Sequence, residues 1–138
     1  MAEIRDWIWI LGTCLLPAYL VGSIPCGYLF GRLKGLDIRQ HGSRNIGATN
    51  VWRVLGRNWG IATFILDFSK APLAVVAVAF LEPYLFKPRI LNSWAEAFVD
   101  LVPLVGAVLG HNHPCWLKFK GGKGIATSAG GLLWLMPK

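Results

Sequence analysis

Between Asp6 and Arg32 the chain has no Asp, Glu, Lys or Arg. An uncharged stretch of that length exceeds the roughly 20 residues that a helix needs to cross a hydrocarbon core, and it is too long for the apolar segment of a signal peptide. It predicts a retained transmembrane span over residues 7–31. The second half of this span, from Gly22-Ser23-Ile24-Pro25-Cys26-Gly27 to Gly31, concentrates small residues and one proline, a pattern that permits close helix packing and a kink. Only 15% of the 138 residues are charged, against about 25% in soluble domains, so the membrane reading extends to the whole chain. The expectation is an all-α, polytopic transmembrane helical bundle forming a single membrane domain over residues 1–138.

Three more apolar runs fit that frame. A second span is expected over 59–81, interrupted by Asp67 and Lys70 at i, i+3 spacing. Charges inside a span face the bundle interior or a polar cavity, so the two either pair with each other or line a site. Residues 82–96 contain Pro83 and Pro88 with balanced charge and read as an external linker. A short third span, 94–110, crosses if it is tilted. A fourth run begins at Ile125 and is too short to cross before Lys138, so the chain is expected to be the N-terminal portion of something longer.

Charge sets the orientation. The loop over 32–58 holds Arg32, Lys34, Arg39, Arg44, Arg53 and Arg57 against Asp37 alone, and the loop over 111–124 holds Lys118, Lys120 and Lys123. The positive-inside rule places both loops in the cytoplasm and the N-terminus outside. The net charge of +7 sits in these loops and not along one exposed face, which disfavours nucleic acid as a partner. Cys14, Cys26 and Cys115 have neither CxxC spacing nor a disulfide pattern. Nothing in the sequence speaks to oligomeric state.

The first loop contains the densest polar cluster, HGSRNIGATNVWRVLG from His41 to Gly56. Glycines that let a backbone approach a ligand stand beside Ser43, Asn45, Thr49, Asn50 and the fixed charges of Arg44, Arg53 and Arg57, a mixture suited to phosphate oxygens. A helix is expected to restart near Ala48, with Thr49 or Asn50 in its first turn, aiming free N–H groups at the same place. The plainer alternative is a polar loop whose arginines only set topology. In the second loop, Gly121-Gly122-Lys123-Gly124 followed by Thr127 forms a glycine-rich turn feeding a helix N-terminus. It is not a Walker A loop, because glycine follows the lysine. His111 and His113 diverge on a helix, so no metal site is expected. No histidine has an aspartate five residues on, so a His-x4-Asp general base is absent.

These segments, Gly22-Ser23-Ile24-Pro25, Asp37-Ile38-Arg39, Gly42-Ser43-x-Asn45-Ile46-Gly47-Ala48-Thr49-Asn50-Val51-x-Arg53, Leu66-Asp67-Phe68-x-Lys70, Gly110-His111 and Phe119 to Thr127, resemble in order the bacterial acyl-phosphate:glycerol-3-phosphate acyltransferases of the PlsY type. The resemblance implies a multi-pass enzyme of the bacterial inner membrane with seven helices. It would make 1-acylglycerol 3-phosphate from acyl phosphate and glycerol 3-phosphate, with no metal or organic cofactor. It places functional roles on Ser43, Arg53 and Lys123 and substrate or phosphate binding on Asn45, Thr49, Asn50, Gly121, Gly122, Gly124 and Thr127. Arg44 stands where the family usually has glycine. The family's third motif lies beyond Lys138, so this chain alone is expected to insert in the membrane without transferring acyl groups. Acyl phosphate is already activated, so orientation and charge neutralisation matter more than a strong acid, and a substrate phosphate oxygen can take the proton. The competing expectation is a membrane carrier or sensor of a phosphorylated metabolite that leaves its ligand unchanged.

Overall fold

The computed structural model describes residue 8 and residues 11–85 and 93–136, with side chains described outside 82–100. The acidic N-terminal residues, the core of the expected linker, Pro137 and Lys138 lie outside the described residues. A π-helical turn, Leu11–Leu15, leads into α1 (Leu16–Gly22); α2 (Cys26–Leu33), α3 (Ala48–Leu55), α4 (Arg57–Leu85), α5 (Ser93–Asn112) and α6 (Ile125–Leu135) follow, with short 3-10 turns at Ile38–Gln40 and Cys115–Leu117. No strand occurs among the described residues. Two helical stretches, Leu11–Leu33 and Arg57–Leu81, are long and apolar enough to cross a membrane.

The first stretch is broken rather than kinked. α1 ends at Gly22, and α2 begins after Pro25, which has no N–H to continue the helical ladder. Past the second stretch the expected linker is shortened, since α4 runs through Pro83 to Leu85 and α5 begins at Ser93. At 29 residues, α4 measures about 43 Å, more than the roughly 30 Å hydrocarbon core.

Small residues draw the helices together. Ala18 and Gly22 on α1 meet Gly106, Ala107 and Gly110 on α5, two small-x-x-x-small faces. A Cβ at Gly22 would run into the Ala107 carbonyl, and one at Gly110 into the Tyr19 carbonyl. The shared core is correspondingly fine-grained: Ala18, Ala71, Ala74, Val75, Leu104 and Ala107, with Val21 and Trp134 packed on it. Leu73, Phe80 and Leu132 face outward. α6 docks on α4 through Gly130, which sits against the Phe68 carbonyl, and through the Thr127 hydroxyl, which donates to the Asp67 carbonyl at 2.9 Å.

The segment between α2 and α4 folds into a cap with its own core. Ile38, Ile46, Val51 and Leu117 are buried together, ringed by Tyr28, Leu36, Val54, Leu55 and Trp59. Asp37 opens the 3-10 turn by accepting from the Arg39 N–H at 3.0 Å and from its guanidinium at 2.9 and 2.7 Å. Those hydrogen bonds to Arg39, with its charge, hold the Asp37 carboxyl down at about 2. Asn50, 1% exposed, ties the cap internally. Its Oδ1 accepts from the Ser43 N–H at 2.8 Å, and its amide nitrogen reaches the carbonyls of Asn45, His41 and Ile38 at 2.8, 3.0 and 3.3 Å. Around the rim, Arg32 and Arg39 lie over Tyr28, Lys34 over Trp59 and Arg57 over Trp52. Such pairings recur at membrane–water boundaries, where aromatic rings and cations share the headgroup level.

Candidate active site

A cavity of about 460 Å³ opens between the cap, the first third of α4 and the start of α6. Its wall contains Ser43, Asn45, Thr49, Asn50 and Arg53 from the first loop and Lys123 and Gly124 from the second. The two polar loops, seventy residues apart, therefore meet.

Each wall residue is placed by its local structure. α3 starts at Ala48, as expected, with extended Gly47 as its N-cap. Asn45 Oδ1 accepts from the Gly47 N–H at 2.8 Å, which fixes the turn and leaves the Asn45 NH₂ without a partner among the described residues. The hydroxyls of Ser43 and Thr49 have no intramolecular partner among the described residues. Arg53 lies in the last turn of α3. Four of the six cations in this loop are taken up by rings or by Asp37. Arg53, Arg44 and the three lysines of the second loop have neither a ring nor a carboxylate partner among the described residues. Arg53 and Lys123 thus bring uncompensated positive charge to the cavity, beside the first turns of two helices that present Ala48, Thr49, Ile125 and Ala126. Free N–H groups in those turns favour negative charge. Gly124 caps α6 at φ +73°, a left-handed conformation that glycine adopts at no steric cost.

Three expected phosphate contacts lie elsewhere. The Gly121 N–H donates to the Asn112 carbonyl and the Gly122 N–H to the His111 carbonyl, both at 3.0 Å. These amides bind the loop to the end of α5 and are not available to a ligand. Thr127, fully buried, gives its hydroxyl proton to α4 and does not reach the cavity wall. Asn50 does line the cavity, but its amide is occupied by the cap backbone. Arg44 has φ +60°, a left-handed conformation that is costly for a residue with a Cβ.

Phe64, Asp67 and His111 also line the wall. Asp67 and Lys70 form the expected pair, with Lys70 Nζ 2.7 Å from Asp67 Oδ1, both side chains nearly fully buried. The pair is close but poorly aligned as a hydrogen bond, so Asp67 Oδ1 has no directed donor. His111 Nδ1 lies 3.4 Å from Lys70 Nζ and 3.6 Å from Asp67 Oδ1. The sequence signals for His111 are its position at the end of a span beside the second loop and its place in the Gly110-His111 segment, neither of which assigns it a role. A second, mostly apolar cavity of about 600 Å³ adjoins the first, lined by Ala48, Thr49, Trp52, Arg53, Gly60, Ile61 and Phe64. Ala48, Thr49, Arg53 and Phe64 belong to both.

Fold and cavity together define a helical membrane protein with a cavity lined by Arg53 and Lys123 where its cap meets the bundle. The model of the family described as Glycerol-3-phosphate acyltransferase matches residues 12–138, and the chain belongs to that family. It is 50% identical over 123 residues to the glycerol-3-phosphate acyltransferase of Synechococcus elongatus, covering 88% of this chain and 57% of the relative. With the corresponding protein of Thermosynechococcus vestitus the identity is 45% over 127 residues, covering 91% and 59%. The fold is similar to the crystal structure of PlsY (YgiH), an integral membrane glycerol 3-phosphate acyltransferase, in its glycerol 3-phosphate form, with a TM-score of 0.73 and 38% identity over 92% of this chain and 58% of that one. The chain spans little more than half the length of the relatives it matches.

Proposed function

We propose that the full-length protein transfers an acyl group from acyl phosphate to the C1 hydroxyl of glycerol 3-phosphate, releasing 1-acylglycerol 3-phosphate and phosphate. The carrying observation is the pair of adjoining cavities, one with two unpaired cations and one apolar, joined at Arg53, Thr49, Ala48 and Phe64. A phosphate and a hydrocarbon chain on one substrate need such a junction. In this reading Arg53, Lys123 and the first turns of α3 and α6 hold phosphate oxygens. Ser43 orients the attacking hydroxyl, Asn45 and Thr49 donate to the polar ends of the substrates, and Asn50 keeps Ser43 in place through its N–H. The hydroxyl oxygen bonds to the acyl carbon, the bond from that carbon to the phosphate oxygen breaks, and the hydroxyl proton passes to a phosphate oxygen. Relieving phosphate charge as it leaves is the main electrostatic task.

The same proposal places the protein in the bacterial inner membrane as part of a seven-helix enzyme, with its N-terminus outside and both loops cytoplasmic. The test mixes full-length protein in detergent with palmitoyl phosphate and glycerol 3-phosphate and follows products by mass spectrometry. Lysophosphatidic acid should form, and Arg53→Ala and Lys123→Ala should each lower the rate about 100-fold or more while inserting normally. Binding without product would favour a carrier or sensor. Single cysteines at the exposed positions Gln40 and Lys118 should react with an impermeant thiol reagent only after cells are permeabilised.

A further inference from the structure

The buried cluster under the cavity is not used by that reaction scheme. Asp67 and Lys70 on α4 and His111 near the end of α5 are each at most 5% exposed. Charged groups at such depth are costly unless they are paired, and an ion pair inside a helical bundle contributes little stability for its desolvation. Lys70 does have one clear electrostatic effect: it offsets the Asp67 carboxylate, which lines the wall of a cavity built for anions.

Lys70 also constrains His111. An ammonium can only donate, and Lys70 Nζ faces His111 Nδ1 at 3.4 Å, so a hydrogen bond between them requires Nδ1 as the acceptor and the imidazole proton on Nε2. The Nε2 edge faces the opposite way, against the backbone of Gly122, where an added Cβ would collide with Nε2 itself. Immediately beyond stand Lys123 and Gly124 in the cavity wall, which His111 shares. Nε2 has no intramolecular partner among the described residues, and it is not among the polar atoms sealed from solvent, so it stays open to the cavity that His111 lines. Among the described residues no group of three His, Cys, Asp or Glu side chains is arranged to hold a metal ion.

We infer that His111 is a further ligand-binding residue of this cavity: Lys70, itself paired with Asp67, donates to its Nδ1, and its Nε2–H donates to a phosphoryl oxygen of the bound substrate. The inference rests on the proposed phosphate-binding role of the cavity, but not on acyl transfer. Lys70 is a positioning residue, acting through the imidazole and through the charge of Asp67.

The experiment uses glycerol 3-phosphate as the probe and full-length protein in detergent, labelled with ¹⁵N-histidine. The His111 resonances should report Nδ1 as the unprotonated nitrogen, and saturating glycerol 3-phosphate should shift Nε2 much more than Nδ1. In parallel, affinity for the probe is compared for His111→Asn, whose amide nitrogen falls near the Nδ1 position, and His111→Gln, whose amide nitrogen falls near Nε2. The asparagine variant should bind roughly ten- to a hundred-fold more weakly, the cost of losing one hydrogen bond to a charged group, and the glutamine variant should recover most of that loss. Equal affinities for the two variants, a proton on Nδ1, or an Nε2 resonance indifferent to the probe would each overturn the inference. If His111→Asn does not fold, the wild-type spectra decide alone. Probe binding with these signatures but no acyl product would sink the proposed reaction and leave this inference standing.

Discussion

The bundle and the cap solve opposite packing problems. In the bundle the smallest side chains are buried, Ala18, Ala71, Ala74 and Ala107 with Gly22 and Gly110 between them, while Leu73 and Phe80 point outward. In the cap the order is that of a water-soluble domain, with Ile38, Ile46, Val51 and Leu117 inside and Arg44, Arg53 and Lys118 outside. The difference reflects the solvent each region meets. Against lipid, burying a large apolar side chain gains little, so close backbone approach and dispersion hold helices together. Against water, removing apolar surface is worth about 25 cal/mol per Å², so the cap buries its aliphatic residues.

The largest expected effect tests the bundle half of that contrast. Gly110→Val puts a branched side chain into the Tyr19 carbonyl and should destabilise the protein by about 3 kcal/mol or more. Leu73→Ala, on the outer face, should change stability by less than about 0.5 kcal/mol. Thermal unfolding of both variants in one detergent makes the comparison, and similar losses would mean that the bundle is not held by its small residues.

Next comes the cap. Asn50→Ala removes the acceptor of the Ser43 N–H and the donor to three carbonyls, and should loosen residues 38–50 by about 2–3 kcal/mol. Hydrogen exchange should accelerate at the Ser43 amide while α4 keeps its protection. A uniform acceleration would show that cap and bundle are one cooperative unit. Arg44→Gly should move stability the other way. Relief of the left-handed backbone at φ +60° is worth about 1–2 kcal/mol, and the added freedom of glycine in the unfolded chain returns about 0.5–1, leaving a gain of about 0.5–1 kcal/mol. Denaturation midpoints of the two proteins measure it.

The smallest effect is the acid response of Asp37. Its carboxyl titrates at about 2 in the folded cap and near 3.9 when unfolded. The stabilisation is therefore complete above about pH 4, and it is lost as pH falls toward 2. The protection of the Arg39 amide, relative to the intrinsic exchange rate at each pH, should stay constant from pH 7 to 5 and fall below 4, an excess acceleration. The Asp37→Asn variant should lack that excess.

The helices were legible because the absence of charge over 25 residues leaves few alternatives, and the two cationic loops were legible by contrast with it. The core of the cap was not. Ile38, Ile46 and Val51 are scattered among polar residues without a helical or strand period, and their fourth partner, Leu117, arrives from the far loop. At the site, Ser43, Asn45, Thr49, Asn50, Arg53, Lys123 and Gly124 all line the cavity. Gly121, Gly122 and Thr127 looked equally suited, because a hydroxyl or a free amide at a helix start reads the same whether its partner is a ligand or a neighbouring helix. Only tertiary packing distinguishes the two, as it does for His111 against Lys70.

The cavity's two walls also have different ages during synthesis. Arg53 leaves the ribosome seventy residues before Lys123, which at about 5–20 residues per second is a delay of roughly 4–14 s. Early in that interval Ile38, Ile46 and Val51 can already collapse against one another, while Leu117, which completes their cluster, and α5, whose Gly110 seats α1, are still unmade. The nascent chain therefore exposes an open cationic surface at the membrane before it has a pocket. The arrival of Leu117 closes the cap just six residues before the second cation is delivered.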